Sequence, residues 1–166
     1  MFVNADQLAA EMSPGNVDAV AWDAARLADR RRTEMLATGE NFATETVFSH
    51  PSKLEFIEEA RAAGYYVRML FFCLESPSLN IGRVALRVQR GGHDVPVDRI
   101  AARYVRALEL AVKAREIADE LWLYDNSVRG RSPRRVARFA GGKLTALRGP
   151  MPSWVTKAFG ELTIEE

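Results

Sequence analysis

Apolar positions change their period several times along the chain, and each change predicts an element. Residues 2–5 (FVNA) predict the end of a short strand that runs into a loop at Asp6. Val17, Val20, Ala21, Ala24, Leu27, Ala28 and Met35 fall on one helical stripe, predicting a helix over 17–38 that stops at Gly39. Residues 42–48 (FATETVF) predict a strand ending near Ser49 and His50, and Pro51 opens a helix that closes at Gly64. Residues 65–74 (YYVRMLFFCL) are almost continuously apolar, as in a strand buried on both faces of a parallel sheet. Helices over 77–90 and 97–118 follow, then a strand at 120–125 (ELWLYD) and a polar loop over 126–135. A short strand at 135–140, a Gly141–Gly142 turn and a small helix at 153–160 complete the pattern. Strands alternating with helices predict an α/β domain with a mainly parallel sheet, one domain spanning 1–166.

Composition narrows the class. Apolar residues make up 48% and charged residues 27% of the 166, the balance of a soluble globular protein. No apolar run approaches the ~20 residues of a membrane helix, and MFVNADQLAAEMSPG lacks the basic and apolar regions of a signal peptide. The single cysteine, Cys73, excludes an intramolecular disulfide and a Cys-based zinc cluster, and predicts a reducing, cytoplasmic setting.

Charge is unevenly placed. Residues 1–82 hold 7 basic and 12 acidic residues, residues 83–148 hold 15 and 7, and residues 149–166 hold one Lys and three Glu. The basic middle contains 13 Arg and 2 Lys. Arg83, Arg87 and Arg90 stand at i, i+4, i+7 on one predicted helix, and Arg99, Arg103 and Arg106 repeat that spacing on the next. Ile100, Tyr104, Leu108 and Val112 form the other face of the second helix. Like charges so spaced weaken a helix unless something anionic offsets them, and a guanidinium fork matches phosphate. The two combs therefore predict a site for a polyphosphate, or else a pair of solvated basic faces. Only Tyr104 is interleaved with these arginines, so a base-stacking platform and a nucleic-acid partner are not expected.

In open α/β sheets ligands bind beyond the carboxyl ends of the strands. Asp6, Glu45, Glu75 and Asp125 with Asn126 each lie at or near such an end. Each is either a site residue or an ordinary helix cap or solvated acid.

The run FVNAD-QLA, the run VDAVAWDAARLADRRR and the run ENFATETVFSHPSKLEFIEEARAAGYYVRMLFF resemble the zeta-toxin-like family of P-loop kinases. GRVALRVQRGGHDVPVDRIAARYVRAL and YDNS are similar to that family's lid and fifth strand. The resemblance covers about residues 2–130 and implies a P-loop NTPase-like parallel sheet in the strand order 2-3-1-4-5. It implies ATP- and Mg²⁺-dependent phosphoryl transfer to a hydroxyl of a small molecule such as a UDP-amino sugar, and an antitoxin partner. By the family's pattern Asp6 is the base that accepts the substrate proton and Glu45 holds the acceptor or the metal shell. Arg83, Arg87, Arg90, Arg99 and Arg103 bind phosphate from a helical lid over 77–118, and Asn126 lies in an adenine-contacting loop. No protein metal ligand is implied.

One part of the family pattern is missing. The sequence holds no Gly-x-x-x-x-Gly-Lys-Ser/Thr run; the nearest approach is Gly141-Gly142-Lys143-Leu144-Thr145. Only five residues precede Asp6, where the family places its first strand and phosphate loop. The expectation is a truncated or degenerate member whose first strand and P-loop are absent, impaired as a kinase by itself and at the least a nucleotide- or partner-binding remnant.

Overall fold

The structure, a computed structural model, describes residues 1–92 and 94–164. Its internal contacts divide the chain into two units, Met1–Val47 and Phe48–Glu166.

In the first unit the order is β1 (Phe2–Val3), α1 (Ala5–Met12), α2 (Val17–Thr38) and β2 (Ala43–Thr44). β1 and β2 pair in parallel, Phe2 beside Ala43 and Val3 beside Thr44. Val3, Leu8 and Ala9 pack on Ala24, Ala28 and Met35 of α2, where the two small side chains let the helices approach closely. The α2 stripe and its stop at Gly39, which adopts φ 71°, are as the periodicity predicts. The loop predicted at Asp6 is instead the first turn of α1. The Asn4 side chain caps it, and Ala5, Leu8 and Ala9 supply a short apolar face. β2 is far shorter than 42–48, because Thr46 and Val47 leave the ladder and Val47 is exposed.

The second unit holds α3 (Ser52–Ala62), β3 (Arg68–Cys73), α4 (Pro77–Val88), α5 (Val97–Ile117), β4 (Glu120–Asp125), β5 (Arg134–Ala140), β6 (Lys143–Leu147) and α6 (Ser153–Phe159). Its sheet runs β3-β4-β5-β6; β3 and β4 are parallel, whereas β4-β5 and β5-β6 are antiparallel. The parallel part is therefore confined to β1-β2 and β3-β4, and β6, hidden in a short alternating KLTAL, extends the sheet beyond prediction. Phe71, Cys73, Leu121, Leu123, Val136, Ala137 and Phe139 form the buried face under Ala111 of α5 and Trp154 and Val155 of α6. Phe48 enters this unit at φ 54°, a costly backbone for a bulky residue, and its buried ring packs on Ile57, Leu110, Ala114 and Ala118.

The strand predicted as buried on both faces is covered on one. Phe71 and Cys73 are buried, whereas Leu70 is 47% and Phe72 51% exposed. The Val67 carbonyl accepts from Glu120 N–H at 3.2 Å and the Cys73 carbonyl from Asn126 N–H at 2.8 Å. Odd residues of β3 thus turn their backbone toward β4, and Arg68, Leu70 and Phe72 turn theirs toward the edge away from β4. Among the described residues β3 pairs with β4 alone and β2 with β1 alone. Those pairs fall at the 2-3 and 4-5 positions of the expected strand order.

Candidate functional site

Asp6 and Glu45 lie in the first unit and are linked through Asn4. The β1-β2 register continues past Val3 and Thr44, so Asn4 and Glu45 emerge side by side. Asn4 Oδ1 accepts from the backbone N–H groups of Asp6, at 2.8 Å, and Gln7, at 3.2 Å. Asn4 Nδ2 donates to Glu45 Oε2 at 2.8 Å. Both carboxylates are exposed, so each remains open to a ligand. Behind them Arg32, largely buried on α2, pairs with Asp29 and donates to Thr44 Oγ1 at 3.2 Å. Thr44 Oγ1 in turn donates to the Val3 carbonyl at 2.9 Å, which locks the register that brings Glu45 to Asn4.

The first arginine comb lies in the second unit. Arg83, Arg87, Arg90 and Arg129 line an open cleft of about 320 Å³ with Leu86 and Gly92. Arg83 and Arg87 stand on α4, and Arg90 lies in the turn just beyond it. Arg83 Nη2 donates to the Asn126 carbonyl at 2.6 Å, so Asn126 meets the cleft wall through its backbone. Gly92 is required by space: a Cβ there would sit 2.5 Å from Arg87 Cγ. Arg99, Arg103 and Arg106 are exposed on α5 and are not among the residues lining this cleft. Arg129, in the polar loop, is the member that helix periodicity could not reveal. Its signal is only its place after the YDNS run.

Strand ends in this unit are tied down by their acids. Glu75 Oε1 accepts from Ser153 N–H at 3.0 Å, at the start of α6. Ser127 Oγ donates to Asp125 Oδ1 at 2.5 Å and accepts from Glu75 N–H at 2.8 Å. Asp125 also faces Arg134 at 3.6 Å. These bonds are the capping and anchoring roles open to an acid after a strand. Tyr104 fixes α5 to the same end of the sheet, its Oη donating to the Leu74 carbonyl at 2.9 Å. Burial, with the Cys73 sulfur beside it, raises the Tyr104 phenol above its usual range.

The Gly-Gly-Lys stretch is no phosphate loop. Gly141 and Gly142, at φ 53° and 77°, form the tight hairpin between β5 and β6, and Lys143 begins a strand rather than a helix. Among the described residues no cluster of three His, Cys, Asp or Glu side chains could hold a metal ion.

The family model for zeta toxin matches residues 1–129, which include both the acid pair and the arginine cleft. The chain belongs to the zeta toxin family. An uncharacterized protein of Haemophilus influenzae is 26% identical over 102 residues, 61% of this chain and 73% of that protein. A chain from the structure of the PezAT chromosomal toxin-antitoxin system of Streptococcus pneumoniae superposes with a TM-score of 0.59 at 15% identity. That match covers 98% of this chain and 68% of that one. The zeta toxin family member described here thus shares with it an α/β fold in which helices flank a partly parallel sheet. No helix among the described residues is long and apolar enough to cross a membrane.

Proposed function

We propose that this chain carries the acceptor-binding and lid elements of an ATP-dependent phosphotransferase that acts on a hydroxyl of a small molecule such as a UDP-amino sugar. The observation that supports it best is the Asn4 bridge, which ties the exposed Glu45 carboxylate to the first turn of α1, the turn that carries the exposed Asp6. Asp6, in the first turn of α1, takes the proton from the acceptor hydroxyl, and Glu45 holds the acceptor in place. Arg83, Arg87, Arg90, Arg99 and Arg103 form a cationic lid over 77–118 that offsets charge on the transferred group, with Arg129 added by the cleft and Asn126 at its rim.

The four arginines around the open cleft supply the charge and the donor forks that a polyphosphate would use. The carboxylates fit Mg²⁺ only as one or two ligands beside phosphate oxygens, the way this ion is commonly held. Bound ATP supplies the phosphoryl group, and Mg²⁺ offsets its charge. The 166 residues contain no glycine-rich loop and lysine to cradle the β- and γ-phosphates, so transfer needs that element from outside them. A second reading is a remnant that binds nucleotide or an antitoxin without turnover.

Radiolabel transfer from ATP to UDP-N-acetylglucosamine tests both readings. The 166-residue chain alone is expected to be silent. With a P-loop strand and helix supplied at its N-terminus it is expected to gain activity that Asp6→Asn abolishes. Activity that survives Asp6→Asn overturns the assignment of the base, and silence with the loop restored favours the remnant.

A further inference from the structure

We infer that Asn4 is a positioning residue that sets the distance and orientation between Asp6 and Glu45; the inference rests on the reading of those two carboxylates as the acceptor site. One short side chain is used at both ends. Its oxygen accepts two backbone N–H groups of the α1 first turn, which carries Asp6, and its NH₂ group donates to a carboxylate 41 residues further along the chain. This orientation of the amide is the one that serves both sides, because N–H groups need the oxygen and a carboxylate needs the donor.

Capping alone does not require asparagine. Serine, threonine and aspartate cap a helix as well or nearly so, but aspartate has no donor, and a serine or threonine hydroxyl sits one atom nearer the backbone than the Asn4 amide and does not reach across while it caps. Aspartate would place a second carboxylate against Glu45. Serine and threonine would cap α1 and leave Glu45 untethered. Asparagine is thus the capping residue that also converts the β1-β2 register into a fixed pair of acids. Without the tether Glu45, exposed at the end of a two-residue strand, samples its rotamers freely, and the acceptor must order it on binding.

Asn4→Ser separates the two roles, since its hydroxyl keeps the cap but, set directly on Cβ, is too short to carry its O–H to Glu45; Asn4→Ala loses both. In the full 166-residue chain, calorimetric titration with UDP-N-acetylglucosamine should show affinity about fivefold weaker for Asn4→Ser at an unchanged thermal midpoint. Asn4→Ala should show the same loss together with a lowered midpoint, and Asn4→Asp a larger loss at an unchanged midpoint. Wild-type affinity in Asn4→Ser, or a loss seen only where the midpoint falls, overturns the inference. A ligand-independent measurement keeps it separable from the functional reading. The Asn4 side-chain amide protons, followed by ¹⁵N-resolved NMR, should exchange slowly in the wild type and speed up in Glu45→Ala. If the wild type does not bind the sugar nucleotide, the acceptor-site reading fails, and the NMR result still decides the tether. Amide exchange indifferent to Glu45→Ala overturns it.

Discussion

Arg83 spends part of its guanidinium on the Asn126 carbonyl, 2.6 Å from Nη2, and so joins α4 to the residue that follows β4. α4 has no fully buried residue, and this bond ties it to the end of β4 at the cleft wall.

Arg83 should therefore behave differently from its neighbours in the cleft. Arg90→Ala and Arg129→Ala are expected to weaken pyrophosphate binding about three- to tenfold, with no change in thermal midpoint. Arg83→Ala is expected to lower both. Because these side chains border open solvent, the affinity should also fall as salt is raised. Calorimetric titrations at two salt concentrations, with a thermal scan of each variant, check this; wild-type affinity in both Arg90→Ala and Arg129→Ala would contradict it.

Glu120 is buried between Arg68 and Arg138, and Trp122 Nε1 donates to it at 3.0 Å. Burial pushes its carboxyl up, but the hydrogen bonds from Arg138 and Arg68 outweigh it and hold the group at about 2, against 4.5 ordinarily. A depressed carboxyl stabilises the fold above its unfolded value, and that contribution fades as pH falls from about 4.5 toward 2. Glu120→Gln is expected to lower the thermal midpoint by several degrees at pH 7 and to flatten the acid limb of the stability profile. Urea unfolding across that pH range measures both. An unchanged acid limb would count against the ion triad.

Burial raises the Cys73 thiol to about 11, against 9.0 in the open chain. The native protein should then resist thiol-specific reagents at pH 8 and react fully in urea. The sign is opposite to that of Glu120: the contribution is complete below pH 9 and is lost as pH climbs toward 11. Ellman titration in native and unfolding buffers checks it, and prompt native labelling would refute the burial.

At the β5-β6 hairpin, Gly142 adopts φ 77° and a Cβ there would lie 2.9 Å from Glu116 Oε2. Gly142→Ala should cost about 1–2 kcal/mol of stability, the strain of a left-handed backbone with a side chain that must give way. Gly141→Asn, at φ 53° with open space around it, should be nearly neutral. Chemical denaturation of the two variants distinguishes them.

Long periodic stretches were the legible part of the fold. The stripe of α2, the amphipathic α5 and the apolar run of β3 all declare themselves through many residues in phase. α1 did not, because eight residues carry barely two turns and its start depends on the Asn4 cap. β3 misled about its surroundings: Leu70 and Phe72 are apolar like Phe71 and Cys73, and periodicity cannot tell whether a face is covered. At the candidate site, acids at strand ends were visible, but their fates were not. Glu75 and Asp125 serve α6 and the Ser127 turn, whereas Asp6 and Glu45 stay open. Asn4 escaped notice because its role depends on a register between residues 41 apart.

The alternation along β3 also has a colloidal consequence. Leu70 and Phe72 send their side chains to the open face and their backbone groups to the edge away from β4, which no described strand pairs, so two kinds of adhesion coincide on the same residues. Solutions of this protein should show net attraction between molecules, growing with ammonium sulfate, which strengthens apolar association. Leu70→Lys sets a charge on that face beside the edge and should turn the second virial coefficient from negative toward positive, as light scattering across a dilution series would record.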